Sequence, residues 1–131
     1  MKTTHHLYTR RFDKGEAQVN PDWAGKAESG DPQAIIVSEY ESPDGKIQTG
    51  TWESSTGTWM LDYGDWEYCH VLEGRFVITP LGGEPTEYSA GDVFVLEPGF
   101  KGTLKVLART RKHFVYMTVA NGAAAGNGSD S

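Results

Sequence analysis

The side chains able to do chemistry cluster in two segments of this 131-residue chain. The first is Glu67-Tyr68-Cys69-His70. Both flanks are β-rich, and alternate residues of a strand face opposite sides. Glu67, Cys69 and Val71 therefore share one face, and His70 takes the other. The second segment is Arg111-Lys112-His113. His113 shares its face with Val115 and Met117, and those apolar partners point the face inward. A carboxylate and an imidazole facing one space could pass a proton to and from a bound molecule. Glu67 and His113 are accordingly the candidate catalytic residues. Cys69 has a plainer reading as a small buried hydrophobe, because no feature marks it as a thiolate.

Other chemistries lack their residues. The chain has four histidines, and two of them, His5 and His6, stand in the polar N-terminal arm. No phosphate-binding glycine loop, serine–histidine–aspartate spacing or cysteine–histidine metal cluster is present. The single cysteine cannot close an internal disulfide. Twelve basic against eighteen acidic residues give a net charge of −6, which disfavours nucleic acid as a partner. Arg109, Arg111 and Lys112 form the one positive cluster, which reads as a solvated strand end. Residues 1–20 hold no apolar run, so neither a leader nor a membrane helix is expected, and the protein is read as cytoplasmic.

The elements that must carry these residues are strands. Apolar or alternating runs occur at 34–40, 46–54, 58–63, 66–72, 75–79, 86–89, 93–96, 102–107 and 112–119. Turn signals such as Ser42-Pro43-Asp44-Gly45, Glu73-Gly74 and Pro98-Gly99 separate them. About nine or ten short strands with this spacing predict an all-β sandwich or barrel. Residues 1–33 read as an N-terminal arm anchored by Trp23, residues 34–120 as the barrel, and residues 121–131 as a disordered tail.

Two stretches resemble the paired motifs of the cupin superfamily. They are Glu67-Tyr68-Cys69-His70-Val71-Leu72-Glu73-Gly74-Arg75-Phe76 and Gly91-Asp92-Val93-Phe94-Val95-Leu96-Glu97-Pro98-Gly99-Phe100-Lys101-Gly102. Gly50-Thr51-Trp52-Glu53, Gly57-Thr58-Trp59 and Arg111-Lys112-His113 add to the likeness, which spans residues 45–119. The chain is similar to the small single-domain branch that includes the cupin domains of ureidoglycine aminohydrolase and ethanolamine-utilisation proteins. The resemblance implies a single-domain jelly-roll barrel with Glu67 pointing into it. A metal-binding cupin also carries histidines where this chain has Met60 and Asp62, or Leu61 and Tyr63, and again at Gly102. With those absent, neither a metal nor another cofactor is expected.

The resulting expectation is a cupin-like barrel that binds a small polar metabolite, with Glu67 as acid or base. The rivals are a non-catalytic metabolite sensor and a metalloenzyme using Glu67, Asp62 and His113. Trp52, Trp59, Asp62, Tyr63 and Cys69 are expected to line the ligand space, with Lys101 at its mouth. The register leaves open whether Trp59 or Met60, and Tyr63 or Asp62, faces inward. With Glu67 inward, Trp66, Tyr68, His70 and Leu72 form an outer aromatic face, which predicts a homodimer.

Overall fold

Two long strands organise the molecule, because each is paired along most of its length on both sides. In the computed structural model, which describes residues 3–4, 6–9, 17–19 and 26–119, they are β8 (Trp66–Pro80) and β11 (Lys101–Met117). The strands before them are β1 (Thr3–Thr4), β2 (Leu7–Tyr8), β3 (Ala17–Val19), β4 (Ala27–Ser29), β5 (Ala34–Glu41), β6 (Ile47–Ser54) and β7 (Gly57–Asp62). Between the long pair lie β9 (Thr86–Ser89) and β10 (Val93–Leu96). No helix occurs among the described residues, so none there is long and apolar enough to cross a membrane.

β8 and β11 run antiparallel from Trp66 opposite Met117 to Pro80 opposite Gly102. The first half of β8 pairs with β10 and its second half with β9. The second half of β11 pairs with β6, and its first half with β7. One continuous sheet thus curls on itself, giving the all-β single-domain jelly roll expected from the sequence. The core is its concave side, where Trp52, Trp59, Leu61, Val71, Phe76, Leu104 and Phe114 are buried.

The bend in the long pair has a local cause. Upstream of it, β8 buries Glu67, Cys69 and Val71; downstream it buries Phe76 and Ile78. The inward set moves from odd to even numbers, so the strand rolls over between Val71 and Phe76. Gly74 sits there with φ 102°, a conformation that costs other residues steric strain. A Cβ on it would stand 2.4 Å from the Arg109 carbonyl oxygen and 2.5 Å from Thr110 Cα. Opposite, the register slips between Val106 and Arg111, which supplies the extra residues that a bulged corner requires.

Sequence punctuation misreads this corner. Glu73-Gly74 looks like a hairpin turn between two short strands, yet both flanks pair with β11 instead of with each other. Residues 102–107 and 112–117 are likewise parts of one strand. Seven strands therefore lie between residues 34 and 119 instead of nine or ten. The expected arm also contributes to the sheet: β3 pairs with β5, and β4 with β7. The Tyr8 hydroxyl donates to the Glu39 carbonyl, and its ring meets Tyr40 edge-on at 5.0 Å. His5, Trp23 and residues 121–131 lie outside the described residues.

Replacing Gly74 by alanine should therefore lower stability by more than about 3 kcal/mol, from strain and backbone overlap combined. Gly82 has φ 74° but nothing within 4 Å of an added Cβ, so Gly82→Ala should cost only about 1 kcal/mol. Urea unfolding midpoints measure both, and equal losses would contradict the corner's role.

Candidate functional site

The curled sheet encloses a cavity of about 310 Å³. Three neighbouring strands build its inner wall. β11 pairs with β6 on one side and β8 on the other, so Lys112 stands between Trp52 and Val71, Phe114 between Gly50 and Cys69, and Tyr116 between Gln48 and Glu67. Gly50 belongs here for steric reasons, since a Cβ would approach the Val37 carbonyl oxygen to 2.3 Å and the Phe114 ring to 3.2 Å. Ile36, Met60, Leu61, Asp62, Tyr63, Gly64 and Lys26 complete the lining.

Glu67 is 7% exposed and lines this cavity. The Tyr63 hydroxyl donates to its Oε1 at 2.7 Å. Burial, with the adjacent Glu67 charge, pushes the Tyr63 phenol well above its ordinary value, so Tyr63 stays a donor at neutral pH. That bond leaves Glu67 further lone pairs for a bound group.

Lys112 is 1% exposed and also lines the cavity. Its ammonium lies 4.7 Å from the Trp52 ring centroid and 5.7 Å from that of Phe94, within the range of cation–π attraction. It donates to Cys69 Sγ at 3.4 Å. Burial opposes the charged form, but the acidic groups of Cys69 and Glu67 outweigh it, so the pKa of Lys112 is raised. Cys69 itself is pushed up to about 12 by burial. At neutral pH it is therefore a protonated thiol and a poor nucleophile.

The sequence-derived site residues divide into three groups. Glu67, Trp52, Asp62 and Tyr63 meet at the cavity. Asp62 is at the rim, where Lys101 Nζ pairs with its Oδ1 at 3.3 Å and both side chains are exposed. Cys69 and Trp59 are core residues behind the lining: Cys69 touches Lys112, and Trp59 Nε1 donates to Ser54 Oγ at 2.9 Å. Of the residues whose facing the sequence leaves open, Trp59 is buried in the core while Met60 is 48% exposed at the cavity, and Asp62 and Tyr63 both line it.

His113 is not part of the cavity wall. It faces the opposite side of β11, where its Nε2 lies 2.8 Å from Glu39 Oε1. Its apolar companions Val115 and Met117 are only half-buried. The inner set on this strand is Leu104, Val106, Thr110, Lys112, Phe114 and Tyr116. Lys112 is thus buried and not part of a solvated strand end, whereas Arg109 and Arg111 do face outward, toward Glu53 and Glu73. The signal is parity: Leu104, Val106 and Phe114 are all even-numbered and buried, and Lys112, two residues before Phe114, shares its face.

The donor set does not suit a metal of the kind that metal-bearing cupins carry. Met60, Leu61, Asp62, Tyr63 and Gly102 stand at the positions that the resemblance gives to histidines. Among the described residues, no three histidine, cysteine, aspartate or glutamate side chains gather as a metal set. The lining also includes a buried ammonium, which would repel a cation.

A curled antiparallel barrel holding a carboxylate, a phenol and an ammonium defines a small cupin with a polar interior. The match to the EutQ-like cupin domain model, over residues 41–114, places the chain in that family. Solved structures agree on the fold. A putative ethanolamine utilization protein Q from Salmonella typhimurium is 20% identical, with a TM-score of 0.60, covering 71% of this chain and 74% of that one. The EutQ protein of Clostridium difficile is 15% identical, with a TM-score of 0.63 and coverage of 79% and 82% respectively. A protein of unknown function from Pseudomonas syringae pv. tomato is 19% identical, with a TM-score of 0.69, covering 82% of this chain and 46% of that one. No curated protein matches the chain.

Proposed function

We propose that this barrel binds a small organic molecule through Glu67, which accepts a hydrogen bond from the ligand and can take its proton. The observation that carries this reading is the Tyr63–Glu67 pair, a buried carboxylate opening onto a 310 Å³ cavity. Burying a carboxylate is costly unless polar partners repay it. Tyr63 supplies one partner, and a donor group on the ligand supplies another. The volume is at the small end of ligand pockets and suits a molecule of metabolite size. Ile36, Trp52 and Phe114 add apolar walls, so a short branched tail would fit beside the polar end. Of the two residues read from the sequence as an acid–base pair, Glu67 is the one that opens onto the cavity, because His113 faces away. A sensor would use the same contacts without turnover.

Isobutylamine, a small donor with a branched tail, tests the role. NMR titration should show binding in the cavity, weakened on the order of tenfold by Glu67→Gln, which removes a charged acceptor. Equal affinity in the two proteins would overturn it.

The outer face carries a separate proposal. Across three strands Val95 lies opposite Tyr68, and Tyr68 opposite Val115, all pointing away from the core. Val93 and Val95 are 53% and 44% exposed, and they continue the half-buried row of Trp66, Tyr68, His70 and Leu72. A sheet edge this apolar suits a two-fold contact with a second copy. Light scattering should give twice the chain mass, and Val95→Lys should reduce it to one. A monomer mass for the unaltered protein would refute the interface.

A further inference from the structure

Lys112 has no part in the reading above, yet it is the most deeply buried charged side chain of the lining. An ammonium carries three donors. Among the described residues, the Cys69 sulfur is its one hydrogen-bond acceptor, at 3.4 Å, and sulfur accepts weakly. The rings of Trp52 and Phe94 stabilise the charge without accepting a conventional hydrogen bond. Glu67 lies close enough to act on Lys112 electrostatically. Among the described residues, however, the two form no ion pair.

Lys26 and Asp62 of the lining are exposed, so the buried part of the cavity displays one negative and one positive group, Glu67 and Lys112, that do not neutralise each other directly. A ligand of single charge would leave a net charge beside these buried groups, which is unfavourable. A zwitterion would satisfy both groups and leave none. Resting on the role of Glu67 proposed above, we infer that the cavity takes a small amino acid. Its ammonium sits on Glu67, its carboxylate on Lys112, and its apolar side chain against Ile36, Trp52 and Phe114. Lys112 is then the residue that selects for a carboxylate.

Three probes of one shape separate the contributions: L-valine, isobutylamine without the carboxylate, and isovalerate without the amine. Calorimetric or NMR titration of the intact protein should show valine binding at least about tenfold more tightly than either fragment. Lys112→Met keeps the length and removes the charge. It should weaken valine and isovalerate on the order of tenfold, while isobutylamine, relieved of the Lys112 charge, binds at least as tightly as before, which also reports an intact cavity. Valine binding no tighter than isobutylamine to the unaltered protein would overturn the inference, and this comparison needs no variant to fold. Valine affinity that ignores Lys112→Met but falls in Glu67→Gln would overturn the Lys112 role alone. Probes indifferent to both substitutions, or no binding of any probe, would overturn both readings.

Discussion

The antiparallel pairing of β8 with β11 is the constraint on which the molecule depends. It runs the full length of both strands and brings Glu67, Cys69 and Val71 beside Tyr116, Phe114 and Lys112. β6, β7, β9 and β10 each pair with one half of one member of this pair, and β5, β3 and β4 add outside them. The corner at Gly74 lets the two halves face one interior, because only there does β8 exchange its buried set from odd to even residues. A straight pair would turn half of its apolar side chains to water.

That same pairing brings two charges into one space. Glu67 reaches the cavity because its strand parity buries Cys69 and Val71, and Lys112 because its strand parity buries Leu104, Val106 and Phe114. Each is partly compensated. Glu67 accepts the Tyr63 phenol, while Lys112 has a sulfur acceptor and two ring faces. Cation–π contacts contribute about 0.5–2 kcal/mol, less than the several kcal/mol that isolating an ion from water costs. The remaining stabilisation is electrostatic, from the adjacent Cys69 and from Glu67 across the cavity. A polar interior poised in this way suits a ligand that completes both partners.

The sequence carries the fold more openly than the site. Alternating apolar runs and glycine-rich punctuation specify an all-β barrel, and the Glu67–Phe76 and Gly91–Gly102 stretches specify its kind. Punctuation cannot distinguish a hairpin turn from a bend inside a strand. Gly74 marks either one, and the outcome depends on whether its flanks pair with each other or with a third strand. The site inherits that ambiguity. Treating residues 112–119 as a separate strand removes the parity link to Leu104 and Val106. The apolar Val115 and Met117 then draw His113 inward, and Lys112 is left with its basic neighbours at the surface. A lysine in a basic run gives no sign of burial until its strand is known to be continuous.

The central claim is that Lys112 is a buried cation held by the field of the cavity. Nitrogen-15 NMR of its side chain, followed as the pH is raised, measures this directly. Because its folded pKa is raised, the nitrogen should keep its ammonium signal through 10.5, the ordinary value for lysine, and titrate only above it. A neutral amine signal near pH 7 would mean that burial outweighs the acidic groups, and would contradict the account.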